Sequence, residues 1–323
     1  MKINCRLHTP DDTDKLIELW NENADWGMID REQWEKVFYY TPNGPATIVL
    51  AMAEKTDEIL AQFVFFPLKI SVQGKELKAF KPCAPIMRKS VRTDLGLVSF
   101  LKMYRYALKH FTAQGVHLFY MMPDPRWARG FQMIPGVQVA NFPLWCLPLN
   151  KLMLPQLPDG YAIESITPTD PRMNDLWANT ARLYNCSIVR DTHFFSWKLS
   201  HRGYKSFGVT SNGNIVGFAA FLYKKEIKGI AICDVLAENE EALALTLQLA
   251  CVQASAFKDA LSTEEQNFCE KVTILATPLI QRLVEPMGFE KNSYKFSLAV
   301  HVLGKELPKR ELKPENWYVS AND

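Results

Sequence analysis

Three basic residues, Arg88, Lys89 and Arg92, stand just ahead of Gly96 and of a long segment with helical apolar spacing, Leu97 to Gln114. The stretch between reads Arg88-Lys89-Ser90-Val91-Arg92-Thr93-Asp94-Leu95-Gly96-Leu97-Val98. Positive charge at the N-terminus of a helix suits an anion, because the first amides there lack intrahelical partners and the helix dipole adds to their attraction. The same residues also suit a solvated surface loop. Groups able to move protons are few. Tyr120 and Asp124 close an apolar run, HLFYMM; the first can donate a proton or sit in the core, and the second can act as a base or cap a short helix. His117 lies on the same run and reads as structural, as lone strand histidines do. Cys83 has no histidine paired with it in sequence, which favours a buried thiol over a nucleophile. Asp234 lies between Cys233 and Val235, where a carboxylate must be paired or line a cavity, so it is a site candidate.

These residues have to be positioned by a regular framework, and the chain states its framework twice, with a lag of roughly 155 residues, one ordinary domain. Thr9-Pro10-Asp11-Asp12 leads to Leu19-Trp20 and Trp34; Thr167-Pro168-Thr169-Asp170 leads to Leu176-Trp177 and Trp197. Each copy reads as a short strand, two helices, a β-hairpin, a fourth strand, a long helix, a strand, a short helix and a final strand. The second hairpin turns through Asn212-Gly213, where positive φ is tolerated. Only the segment after the fourth strand needs a parallel crossover, so the expected fold is a mixed, mostly antiparallel α/β sheet in each copy with helices on both faces. The expected domains are residues 1–151 and 160–304, joined by a proline-bearing linker over 152–159 and followed by a tail over 305–323.

Bulk composition narrows the partners. With 323 residues and 48% hydrophobic content, the chain can bury two cores. A net charge of +2 gives no electrostatic case for nucleic acid. The opening MKINCRLHTPDD has no apolar signal core, and no stretch reaches the roughly 20 apolar residues of a membrane span; the expectation is a cytoplasmic protein. Seven cysteines, at 5, 83, 146, 186, 233, 251 and 269, never form a CxxC pair and predict neither a disulfide framework nor a metal site.

The element order and its doubling resemble the GNAT superfamily of acyl-CoA-dependent acyltransferases, tandem members in particular, over about residues 3–302. The resemblance implies an acyl-CoA cosubstrate, acetyl-CoA or a longer homologue, with its pyrophosphate at residues 88–98. Gly96 matches the first glycine of the family's loop, whereas Val98 and Thr93 depart from it. The second copy departs further, with Glu238, Glu240 and Glu241 at the corresponding junction, which places the cofactor in the first copy. The family's acid tyrosine has no counterpart, since Phe131 falls near its place. The acceptor implied is a small amine or amino sugar, with Asp25 and Asp30, between the first helices, as recognition residues and direct attack of the amine on the thioester. A non-catalytic ligand-binding protein and a Fem-like aminoacyl transferase are the alternatives.

Overall fold

A run such as Thr47–Ala53, apolar at nearly every position, has no polar face to offer water and settles as a strand covered on both sides. The computed structural model, which describes residues 2–24, 26–93, 95–152, 155–199, 203–304, 307 and 312–323 and only the backbone of Pro125 and Arg126, places it in a mixed α/β framework. The first repeat runs β1 (Ile3–Leu7), α1 (Thr13–Asn23), α2 (Arg31–Phe38), β2 (Thr47–Ala53), β3 (Ile59–Val72), β4 (Lys75–Met87), α3 (Lys89–Arg92), α4 (Gly96–Ala113), β5 (Leu118–Met121), α5 (Pro125–Gln132) and β6 (Val137–Pro148). The second runs β7 (Tyr161–Ser165), α6 (Arg172–Thr180), β8 (Cys186–Ile188), α7 (Thr192–Leu199), β9 (Lys205–Ser211), β10 (Asn214–Lys224), β11 (Gly229–Ala237), α8 (Glu240–Asp259), α9 (Thr263–Phe268), β12 (Lys271–Leu275), α10 (Pro278–Val284) and β13 (Glu290–Val302). The expected order is present in both, with α3, β8 and α9 as additions.

The chain forms two compact units, and they do not divide at the linker. One comprises Met1–Lys69, Leu77–Met121 and Val300–Leu307; the other comprises Ile70–Glu76, Met122–Ala299 and Pro308–Asp323. The closing strand of the first repeat, β6, therefore belongs to the unit built mainly by the second repeat. β6 pairs antiparallel with β12, Leu144 opposite Leu275 and Pro148 opposite Lys271. After β13, the Leu303 N–H donates to the His117 carbonyl ahead of β5 at 2.8 Å.

In the first unit the strands run in the order β1-β2-β3-β4-β5. The alternation of β3 sends Phe63 and Phe65 to one face and Val64 to the other. Phe63 and Phe65 meet Phe100 and Phe111 of α4 at ring-centroid distances of 5.3 Å each. Helix α4 buries Phe100, Met103, Tyr104, Ala107 and Phe111, the helical stripe read from the sequence. On the opposite face Val64 joins Leu16, Leu19, Trp34 and Phe38 of α1 and α2. Just ahead of α1, Arg6 of β1 donates two hydrogen bonds to Asp12, at 2.6 and 2.8 Å, and the Thr9 N–H donates to the same carboxylate at 2.8 Å. The Arg6 hydrogen bonds, foremost, hold the buried Asp12 carboxyl well below the usual carboxylate range. A depressed folded pKa means stability that is present above the unfolded value and lost as pH falls through the folded one. Asp12→Asn is therefore expected to cost about 1–2 kcal/mol at neutral pH. That deficit should shrink in urea titrations below about pH 4, where the unfolded carboxyl is protonated.

The second unit carries β13-β6-β12-β11-β10-β9-β7, with β11 and β12 parallel. Its hairpin has the expected turn, since Asn212 and Gly213 have φ of +51° and +80° and Ser211 pairs with Asn214. Residues 70–72 of β3 pair with β8. Helix α8 lies on β10 so closely that a Cβ at Gly217 would collide with the Thr246 hydroxyl, itself donated to the Ala242 carbonyl at 2.7 Å. Gly217→Ala should destabilise the unit by about 1–3 kcal/mol in thermal unfolding, and adding Thr246→Ala should recover part of the loss. Leu312, Trp317 and Val319 of the terminal stretch are buried, so what composition suggests as a tail is core from Leu312 on.

Candidate functional site

In the first unit, β4 carries Pro82 and Pro85, which have no N–H, and Ala84 between them at φ +47°. A strand so built cannot continue a regular ladder. Its parallel pairing with β5 is confined to Ala79–Leu118 and Phe80–Phe119, so the two strands open beyond Phe80. Cys83 and Ala84 are half-buried there, against the face covered by α1 and α2.

The β4–α4 junction is gripped from α1. Asn23 Oδ1 accepts the Lys89 N–H at 3.0 Å, and its carbonyl accepts a short hydrogen bond from the Arg92 guanidinium. Arg88 pairs with Glu22 at 3.2 Å and Glu58 at 3.1 Å and donates to the Ile59 carbonyl at 2.9 Å. Two of the three basic residues thus build the junction, while Lys89 and Ser90 are exposed and Val91 is buried. Thr93 is exposed, Leu95 is half-buried and Asp94 lies outside the described residues. Helix α4 then begins with Leu95 as its N-cap, which offers no side-chain acceptor. In the first turn Gly96 is buried, the Leu97 and Val98 side chains are exposed, and these three amides have no hydrogen-bond partner among the described residues. That turn can accept an anion.

The other sequence candidates have varied fates. Asp30 is the N-cap of α2, accepting the Gln33 N–H at 2.8 Å in a capping box, which gives it a structural task. Asp25 lies outside the described residues. Tyr120 is wholly buried on β5. Asp124 is exposed, and its carbonyl accepts the N–H groups of Trp127 and Ala128 at the start of α5. Asp234 is enclosed in the second unit with internal partners. Among the described residues no group of His, Cys, Asp and Glu could hold a metal ion.

The counterpart junction in the second unit is closed. Asn239 caps α8, its Oδ1 accepting the Ala242 N–H at 2.8 Å, and Glu240 and Glu241 fill the first turn. A register shift between β10 and β11 sets Ala220 opposite Asp234 and Phe221 opposite Ile232, leaving Cys233 as the extra residue of a bulge. The Val235 N–H beside it donates to the Tyr318 hydroxyl at 3.0 Å, and that hydroxyl lies 2.7 Å from the Val235 carbonyl and 2.9 Å from Asp234 Oδ1. Arg190, 0% exposed, lies 3.1 Å from Asp234, 2.7 Å from Asp323 and 4.6 Å from the Tyr318 ring centre. Ser320 joins Asp234 at 3.1 Å. Burial pushes the Asp234 carboxyl up and the Arg190 charge pulls against it. Arg190, Tyr318 and Asp323 escape a reading by motif, although a carboxylate amid apolar neighbours does signal that a cation is required somewhere.

No model of a known protein family and no curated protein matches the chain. Solved structures do. A GCN5-related N-acetyltransferase from Anabaena variabilis superposes with a TM-score of 0.71 at 12% identity, covering 94% of this chain and 73% of that one. One from Kribbella flavida gives 0.64 at 13%, covering 93% and 71%. A tandem GNAT protein from the clavulanic acid biosynthesis pathway gives 0.56 at 12%, covering 95% and 100%. At these identities the likeness establishes the fold, and the fold is the tandem GNAT fold.

Proposed function

We propose that this chain, whose fold is the tandem GNAT fold, is an acyl-CoA-dependent N-acyltransferase that binds its cosubstrate in the first unit alone. One observation carries the assignment: the two equivalent helix N-termini differ, α4 open and bordered by Lys89, α8 capped by Asn239 and flanked by carboxylates. The pyrophosphate would lie on the amides of Gly96, Leu97 and Val98, with Arg88, Lys89 and Arg92 adding positive potential and Ser90 to Leu95 completing the loop. The opening between β4 and β5 would take the pantetheine arm and thioester, because backbone groups freed from the ladder there can satisfy its amides.

The reaction is the attack of an acceptor amine nitrogen on the thioester carbonyl. The C–N bond forms, the tetrahedral adduct expels coenzyme A as thiolate, and the proton leaving nitrogen passes to a base and the thiolate is protonated. Asp124 as base and Tyr120 as acid are the sequence's candidates for these transfers, and Asp25, Asp30 and Asp234 its candidates for the amine. Of these, Asp30 and Asp234 already hold internal partners. An acetyl group, a small amine or amino-sugar acceptor and a cytoplasmic setting complete the reading.

A second reading draws on Arg88 and Arg92: with their guanidinium groups spent inside the protein, the chain would bind its ligand without turnover. Free-thiol release separates the two. The enzyme releases coenzyme A from acetyl-CoA in proportion to added amine, and the reading of catalysis fails if acetyl-CoA binds yet no amine from a broad panel releases thiol above background.

A further inference from the structure

Parallel pairing of β11 with β12 runs from Gly229 opposite Lys271 to Ile232 opposite Ile274, and the bulge at Cys233 follows directly. The second unit therefore opens at the place in the repeat where the first opens beyond Phe80. Val235 lies past the bulge and is 1% exposed, so its backbone groups need partners inside the protein. Its N–H donates to the Tyr318 hydroxyl at 3.0 Å and to Asp234 Oδ1 at 3.1 Å, and its carbonyl lies 2.7 Å from the same Tyr318 hydroxyl. One side chain meets both groups that a paired strand or a ligand amide would meet.

Two elements that the first repeat lacks, β8 and the terminal stretch, hold Tyr318 in that place. The Tyr318 N–H donates to the Cys186 carbonyl of β8 at 2.8 Å, and Trp317 forms a parallel bridge with the same residue. The Tyr318 ring stacks on Tyr184 with centroids 4.3 Å apart, and Arg190 fastens the stretch through Asp323 at 2.7 Å. Tyr318 also borders a surface groove of about 530 Å³ that passes Glu240 of α8 and Pro278 of α10. A shorter side chain at 318 would let that groove run on to Val235.

We propose that Tyr318 is an internal stopper, its hydroxyl occupying the position that a pantetheine amide takes in an opening of this kind. This rests on the reading that the opening between β4 and β5 receives the pantetheine arm. Carboxylates at the start of α8 repel the pyrophosphate of coenzyme A, and Tyr318 excludes the uncharged arm of the same molecule. The second unit is a cofactor cleft filled by its own chain.

Amide hydrogen–deuterium exchange of the full chain with and without excess pantetheine tests this in wild type, Tyr318→Phe and Tyr318→Ala. Pantetheine carries no phosphate for Glu240 and Glu241 to repel. In wild type it should leave Val235 exchange unchanged. Tyr318→Phe keeps the ring and leaves the Val235 N–H only its bond to Asp234, so that amide should exchange about fivefold faster, with or without pantetheine. Tyr318→Ala vacates the opening, and there pantetheine should slow Val235 exchange about fivefold or more. Protection at Cys83, Ala84 and Ile86 of β4 reports the first opening separately; its absence counts against the acyl-CoA reading, while Val235 still decides the stopper. Slowing of Val235 by pantetheine in wild type, wild-type exchange of Val235 in Tyr318→Phe, or no slowing in a Tyr318→Ala protein whose β9 and β10 amides stay protected would overturn the proposal. If Tyr318→Ala loses those protected amides, wild type and Tyr318→Phe decide.

Discussion

Replacing Arg190 with methionine should lower the stability of the second unit by about 3–5 kcal/mol, the usual cost of removing one partner from a buried charge cluster. Methionine roughly preserves the apolar stem, so the loss is electrostatic rather than a cavity. Wild-type Arg190 donates to Asp234, Asp323, Ser320 and the Ile188 carbonyl and lies under the Tyr318 ring. Without it, two carboxylates remain enclosed near each other. Asp234 keeps the Tyr318 and Ser320 hydroxyls, and Asp323 keeps the Ser320 N–H, but the Arg190 charge no longer offsets their burial. The pH dependence has a definite sign. Burial already pushes the Asp234 carboxyl up, and removing Arg190 removes the charge that pulls it back. In the variant the folded pKa is raised further above the unfolded one, so the deficit is fully present at neutral pH and shrinks as pH falls through that raised value. Urea midpoints of wild type and Arg190→Met between pH 7 and pH 5 measure it. Equal midpoints at neutral pH would contradict the network as described.

Leu97→Glu should abolish most acyl-CoA affinity while leaving the fold intact. Leu97 is the second residue of α4 and 53% exposed, so its apolar side chain contributes little to the core. The second residue of α8 is Glu241, so the substitution copies into the first unit what the second already has. A carboxylate there favours the helix dipole by a few tenths of a kcal/mol, and the melting temperature should hold or rise slightly. A pyrophosphate on the same turn would meet a like charge a few ångströms away. At a partly screened surface that repulsion is roughly 1–3 kcal/mol, or about tenfold to a hundredfold in the dissociation constant. Unchanged affinity for acetyl-CoA in this variant would remove the α4 N-terminus from the account.

Much of the framework is legible because it rests on local patterns. The stripe of Phe100, Met103, Tyr104, Ala107 and Phe111 specifies α4 by its period, and Asn212-Gly213 specifies a hairpin by its backbone freedom. What the sequence does not display is which strand a strand will pair with. An apolar run such as Phe142 to Leu147 offers the same backbone ladder to any partner, so β6 beside β12, in the unit built mainly by the other repeat, becomes visible only in three dimensions. The terminal stretch misleads for another reason. Its charged residues, Lys305 to Lys313, dominate composition, while Trp317, Tyr318 and Val319 that follow carry the packing. At the junction, Arg88, Lys89 and Arg92 and the open first turn are readable as charge and spacing. The destination of Arg88 and Arg92, in the grip of Glu22, Asn23 and Glu58, depends on the end of α1 and the start of β3, far away in sequence.

The most direct test of the central claim is amide hydrogen–deuterium exchange of the full chain with and without saturating acetyl-CoA, read at the two helix N-termini. Bound pyrophosphate should slow exchange at Gly96, Leu97 and Val98 and leave Glu240, Glu241 and Ala242 unchanged. Protection at the start of α8, or none at the start of α4 while acetyl-CoA is bound, would contradict it.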